Sequence, residues 1–425
     1  MQFTKGLAHD PKKGLPHEAA NLPPGPYLGP DIDDTVSPLV PLADPLATQG
    51  PMADISVDAI PEPMEALSKD MCDQTVELIW MALLRDVKFS QFETNVEVEE
   101  AARELERVGI GDGTPANIFR APFAGVEVGD FVSKIFSSPV PHGWSVQSLT
   151  VPDFAGNEFG VTLTDAASIQ NGIVNGELRH GKRQVPVSHT PRSLATLVHK
   201  DYALQFGQTA ALVLYGNDVG TLAPRQGEPV VHWSVNHLLD ILSKLETEVL
   251  RYTWDAKWRH LQCRPEEFMI RAENDRQFGT YPSIPREFYQ TVAVKTLLQE
   301  KGNYLLPLAY PEGAPMHPSY PAGHSVLAGA YATLLKVWFD NEPWPTSAPR
   351  DGYTVHGELN KAAYNGAVAR SFAGIHYRED NINGMLFGEQ LALALLPFLF
   401  DPRIFPKVYT LELTTLDGSE LEVEL

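Results

Sequence analysis

From Met71 onward, apolar residues recur at three- and four-residue spacing in one segment after another, which restricts the chain to helices packed through apolar faces. MCDQTVELIWMALLRDV, SLATLVHKDYALQFGQTAALVLYG and VNHLLDILSKLETEVLRYTW carry this pattern in the first half. TVAVKTLLQEKG, GHSVLAGAYATLLKVWFD, GELNKAAYNGAVARSFAGI and NGMLFGEQLALALLPFLF carry it in the second, with short Gly/Pro/Asn segments between. The expectation is an all-α protein of two packed helical bundles, over residues 66–250 and 251–402. The two ends read differently. Residues 1–65 are crowded with Pro, Gly and Asp, as in LPPGPYLGP, a composition suited to an extended arm. Val40, Leu42, Leu46 and Ile55 give that arm apolar points for packing on another subunit. Over residues 403–425, Tyr409, Leu411 and Leu413 alternate with polar residues, LDGS supplies a turn, and Leu421, Val423 and Leu425 alternate again. That pattern predicts a small C-terminal β-hairpin.

A chain of 425 residues with 43% hydrophobic content can bury a large core. Its 33 Lys+Arg against 54 Asp+Glu give a net charge of -21, which opposes attraction to nucleic acid or anionic lipid. An anionic ligand would therefore need the few cations gathered in one place. Cys72 and Cys263 have no paired spacing and read as buried thiols. The N-terminus lacks the apolar core of a signal peptide, and the most apolar run, Leu386 to Phe400, contains Glu389, Gln390 and Pro397, as a buried helix would. A soluble, cytoplasmic protein is expected, with no membrane partner.

Three segments in the second half hold the residue types that an oxyanion pocket requires. In KWRHLQCRP, Lys257 and Arg264 stand seven positions apart, two turns along one helix face. Alone, the pair also reads as a solvated face. In MHPSYPAGHSVLAGAYATLLKVW, a Pro/Gly-rich turn feeds a long apolar helix, whose free N–H groups and dipole attract an anion. Gly323 permits close approach there and His324 is suited to proton transfer; alone, this is also an ordinary capping turn. In ARSFAGIHYRED, Arg370 and His376 lie six apart with Asp380 four beyond, and Gly374 is placed to break the helix between them. Taken together, these are the parts of one tetrahedral-oxyanion site. The histidines are not spaced as a zinc pair.

In this order the segments resemble the signature of the vanadium haloperoxidases and their relatives, the type-2 phosphatidic acid phosphatases and bacterial acid phosphatases. It appears as Lys257 to Pro265, Pro321-Ala322-Gly323-His324, and Ala369-Arg370 through His376 to Asp380. PLAYPEGAPMHPSYPAGH, GELNKAAYNGAVAR and AGIHYRED look like the bromoperoxidases of red algae and cyanobacteria. The resemblance implies that Lys257, Arg264, Arg370 and the Gly323 N–H hold vanadate, that His376 ligates vanadium, and that His324 is the acid or base. It also implies that Lys257 polarises peroxide, and that no haem or flavin is needed. His317 matches a position that is histidine in bromoperoxidases and phenylalanine in chloroperoxidases, which favours bromide. Trp254 is expected along the halide approach. Hydrogen peroxide, halide (bromide or iodide) and a small organic acceptor are the implied reactants, in a homo-oligomer, with structural calcium a further expectation.

Two positions depart from the family pattern. Ala322 replaces the usual serine, removing one donor to the oxyanion, a loss of about 1.5 to 3 kcal/mol for a bond to a charged group. Ala369 replaces the serine before Arg370. An acid phosphatase is the rival reading of the same residues, since a histidine that ligates vanadium would attack phosphorus. A decayed, non-catalytic anion-binding oligomer is the other.

Overall fold

The computed structural model describes Lys5 and residues 55–174, 176–179, 183–221, 233–279, 283–346, 351–400 and 410–424. Most of the expected arm, including Val40, Leu42 and Leu46, lies outside the described residues. Ile55, Val57, Ile60 and Met64, which belong to its end, pack against the core of their own chain.

Local capping decides where the helices begin. Helix α1 (Lys69–Leu83) starts where the Ser68 side chain accepts from the Met71 N–H, and α2 (Val96–Arg107) where Asn95 accepts from Glu97 and Val98. A single turn, α3 (Lys134–Ser137), precedes the hairpin of β1 (Val140–His142) and β2 (Ser145–Gln147). Strand β3 (Thr150–Pro152) pairs antiparallel with β4 (Gln184–Pro186), and α4 (Leu163–Gln170) lies between them in sequence. Then follow α5 (Pro191–Leu197) and α6 (Gln205–Gly216). The sequence pattern predicts one helix over residues 193–216, whereas the structure breaks it between Leu197 and Gln205. The apolar period continues across the break, but His199, Lys200 and Asp201 bring polar groups that the core cannot satisfy in a helix.

Helix α7 (Val235–His260) runs through the boundary expected at 250/251, and one buried apolar cluster takes residues from both sides of it. Beyond lie α8 (Pro265–Phe278) and α9 (Val292–Lys301), the latter closed by Gly302 at φ 76°. Helix α10 (Gly323–Trp338) is the buried centre, flanked by α7, α11 (Val355–Phe372) and α12 (Arg378–Leu399). Glycine sets how close α10 and α12 come. A Cβ at Gly329 would overlap the Met385 carbonyl, and one at Gly388 the Val326 carbonyl. Of the described helices, α12 alone is long and apolar enough to cross a membrane. It packs on α10 and buries Asp380, Asn381 and Glu389.

The C-terminal hairpin is present as β5 (Thr410–Thr414) and β6 (Glu420–Glu424), with Leu413 opposite Leu421. Glu389 of α12 accepts from the Leu416 N–H at 2.9 Å, tying the hairpin to the bundle. Cys72 and Cys263 are buried and unpaired, and burial pushes both thiols up to about 12.

Candidate active site

The N-terminus of α10 opens on a cavity of about 300 Å³. Ala322 is its N-cap and contributes no side-chain bond, so the first-turn N–H groups are not capped from within. A Cβ added at Gly323 would meet only Lys257 Cε at 3.9 Å and Thr253 Cγ2 at 4.0 Å, so this turn borders open space. Lys257, Gly323, His324, Arg370 and His376 all line the cavity, with Trp254 and His317 on its wall.

Lys257 and Arg264 do not share a helix face. Helix α7 ends at His260, Leu261 turns left-handed at φ 52°, and Arg264 becomes the N-cap of α8. The ring of Pro265 disfavours helical geometry at the residue before it, while its missing N–H suits the first position of a new helix. The two cations therefore reach the site from different helices. Lys257 is buried and donates to the carbonyl oxygens of Pro318 and Ser319 at 3.0 Å each, and to that of Pro321. Burial lowers its pKa well below the ordinary value, as does the Arg264 charge.

Arg264 is fully buried and sits behind the wall, outside the cavity lining. Its guanidinium donates to His376 Nε2 at 2.8 Å, to the Ile375 carbonyl at 2.9 Å and to the His317 carbonyl at 3.0 Å. It also reaches His317 Nδ1 at 3.0 Å. Because guanidinium only donates, that Nδ1 must carry the lone pair. Burial, with the charges of Lys257 and Arg264, holds His317 well below its ordinary pKa. Trp254 meets the His317 ring edge-on at 5.3 Å.

His376 is delivered by the turn between α11 and α12. Helix α11 stops at Phe372, and Gly374 at φ +88° reverses the chain, so Arg370 and His376 reach one cavity despite their spacing. Asp380 Oδ2 accepts from His376 Nδ1 at 2.9 Å, from the Tyr377 N–H at 3.1 Å and from the Ser319 hydroxyl. Such a set of donors fits a carboxylate, although burial raises the Asp380 pKa against the pull of Ser319, Arg264 and Lys257. With its proton on Nδ1, His376 keeps a lone pair on Nε2. Burial and the charges of Arg264, Lys257 and Arg370 keep the ring neutral by holding its pKa well below the usual value.

Arg370 donates to the Val198 carbonyl at 2.7 Å and lies over the Tyr310 ring at 5.5 Å. Its Nε is buried and has no hydrogen-bond partner among the described residues. His324 is held differently. Its Nε2 lies 3.1 Å from both Asp201 oxygens, and its side chain is 33% exposed. Burial and Arg370 lower its pKa, and Asp201 opposes them. Burial works against the Asp201 carboxylate too, yet His324 leaves it below its ordinary value.

Asp201 was missed in the sequence because a continuous helix hid it. The only signal was HKD interrupting an otherwise apolar run. Among the described residues, no group of three or more His, Cys, Asp or Glu is arranged for a metal ion.

The orphaned Arg370 Nε, the space a Gly323 Cβ would fill and the uncapped α10 terminus fit a tetrahedral oxyanion such as vanadate. The family model described as the VCPO second helical-bundle domain matches residues 246–401. The vanadium-dependent bromoperoxidase of Ascophyllum nodosum is 31% identical, over 88% of this chain and 75% of its own length. That of Corallina pilulifera is 25% identical, over 93% and 80%. The homohexameric structure of the second vanadate-dependent bromoperoxidase from Ascophyllum nodosum superimposes with a TM-score of 0.83 at 24% identity, covering 99% of this chain and 84% of that one, and shows the shared fold. Identity at that level across three quarters of the Ascophyllum nodosum relative, on a fold carrying this pocket, makes the chain a member of the vanadium-dependent haloperoxidase family.

Proposed function

We propose that this chain is a vanadate-dependent haloperoxidase. It oxidises bromide, and iodide, with hydrogen peroxide to a hypohalous-acid-like species that halogenates small organic acceptors. For bromide the balance is one peroxide, one bromide and one proton giving hypobromous acid and water. The observation that carries this reading is the convergence of Lys257, Gly323, His324, Arg370 and His376 on one cavity, with a cationic donor left unused.

In this reading Lys257, Arg264, Arg370 and the Gly323 N–H would hold the oxyanion, and His376 would present Nε2 to the metal, with the Lys257 and Arg264 N–H groups that now meet backbone carbonyls and Nε2 turning to the oxyanion oxygens. Bound vanadate would supply the Lewis-acidic centre at which peroxide becomes electrophilic towards halide. Asp380 fixes the tautomer of His376 from the far side of its ring. His324, partnered by Asp201 and reachable from the cavity, takes up and returns the proton. His317 and Trp254 form the wall that the halide passes, and bromide preference is proposed from His317. A homo-oligomer is proposed from the homohexameric neighbour, and light scattering on the purified protein tests it.

The test uses metal-stripped protein with hydrogen peroxide and bromide, with and without orthovanadate, beside a phosphate-ester hydrolysis assay. Bromination that needs vanadate and is suppressed by excess phosphate supports the proposal. Phosphate release without bromination would assign the chain to the phosphatases instead. Neither activity would favour the decayed oligomer. Chelator titration of the melting temperature tests separately for structural calcium.

A further inference from the structure

Lys5 is buried inside its own chain, 261 residues from its ion-pair partner. Its ammonium lies 2.9 Å from Glu266 Oε1 and 3.0 Å from the Glu312 carbonyl oxygen, and also donates to the Ala314 carbonyl. An ammonium has three N–H bonds, and all of them are used. Glu266 is equally engaged, accepting from Gln170 at 2.6 Å and from the Ala314 N–H at 2.8 Å. The Lys5 and Glu266 side chains are 1% and 4% exposed. Removing one partner of such a pair leaves the other as an uncompensated buried charge.

Both ends of this clamp lead to the cavity. Glu266 stands two residues after Arg264, the guanidinium that holds His317 and His376. The 312–314 segment runs directly into Pro315 and His317, which line the cavity wall. Glu312 also reaches His199 Nε2 at 2.5 Å. His199 stacks on Tyr310 at 3.9 Å, and Tyr310 lies under Arg370. Packing leaves little slack, since a Cβ at Gly313 would fall 2.6 Å from Glu266 Oε2.

We infer that Lys5 is a positioning residue for the halide-side wall of the active site. By bonding the 312–314 carbonyls and Glu266 it sets the place of His317 relative to Arg264. The kinetic part of this inference rests on the haloperoxidase reading, whereas the positional part does not.

The experiment compares Lys5→Met with wild type by amide hydrogen exchange, orthovanadate binding to the apoprotein, and bromination kinetics. Exchange over residues 312–317 should accelerate while α10 and α12 keep their protection. Bromide KM should rise about tenfold with orthovanadate affinity changed less than about threefold, the mark of a displaced wall rather than a lost oxyanion site. Adding Glu266→Gln, which removes the stranded charge, should restore part of both effects. Unchanged exchange over 312–317 would overturn the inference. Faster exchange with an unaltered bromide KM would reduce Lys5 to a structural clamp. If wild type itself brominates nothing, the haloperoxidase proposal fails, and exchange still decides whether Lys5 positions the wall. Should Lys5→Met not fold, Lys5→Arg keeps the charge in a longer side chain and should show the same changes in smaller measure.

Discussion

Two of the three histidines that line the cavity, His376 and His324, are held in opposite ways. His376 is 2% exposed, with one nitrogen bonded to Asp380 and the other to Arg264. His324 is 33% exposed and pairs with Asp201, with the ring also lining the cavity. A ring fixed at both nitrogens by buried groups cannot turn, and its neutral tautomer is set before any ligand arrives. A ring held from one side and wetted on the other can exchange protons. On this contrast rests the proposal that His376 ligates and His324 transfers protons.

The sharpest way to break this contrast is to remove each ring in turn. His376→Ala should abolish bromination and weaken orthovanadate binding by more than about a thousandfold, because Asp380 and Arg264 lose the group between them. Near-normal vanadate affinity in a calorimetric titration would sink the ligand assignment. His324→Ala should cut turnover by about 10² to 10⁴ while vanadate affinity stays within about tenfold of wild type. If the two variants lose binding equally, the histidines do not divide the work.

A smaller effect tests the turn between them. Ala322→Ser would add a hydroxyl at the bare N-cap of α10, and should tighten vanadate by about tenfold, one charge-assisted hydrogen bond. Unchanged affinity would show that the hydroxyl turns elsewhere, for instance to cap the helix itself. The smallest expected change is in pH dependence. Asp201 raises the His324 pKa, and burial and Arg370 lower it. Asp201→Asn removes the raising influence, so the His324 pKa falls further below its ordinary value, and the acid limb of the rate profile should move to lower pH. A shift to higher pH would mean that another group sets that limb.

These predictions draw unequally on what the sequence offers. The helices were legible because their apolar period is strong and their ends are marked, as by Thr291 and Gly302 around α9. The pairing of His376 with Asp380 was legible too, since four residues at the start of a helix lie within reach of each other. Lys257 and Arg264 show where spacing misleads. Seven positions imply a shared face only if the helix continues, and Pro265 with the left-handed Leu261 ends it.

By itself, then, the sequence determined the helical class, the terminal hairpin and the glycine turn that opens the long apolar helix α10, because each depends on residues within a few positions of one another. Only tertiary structure decided that Asp201 faces His324 across 123 residues, that Arg264 stands behind the wall holding both His376 and His317, and that Lys5 is buried against Glu266. The reason is physical. A buried charge is tolerated only with its partner in place, and that partner is chosen by how the helices pack, not by distance along the chain.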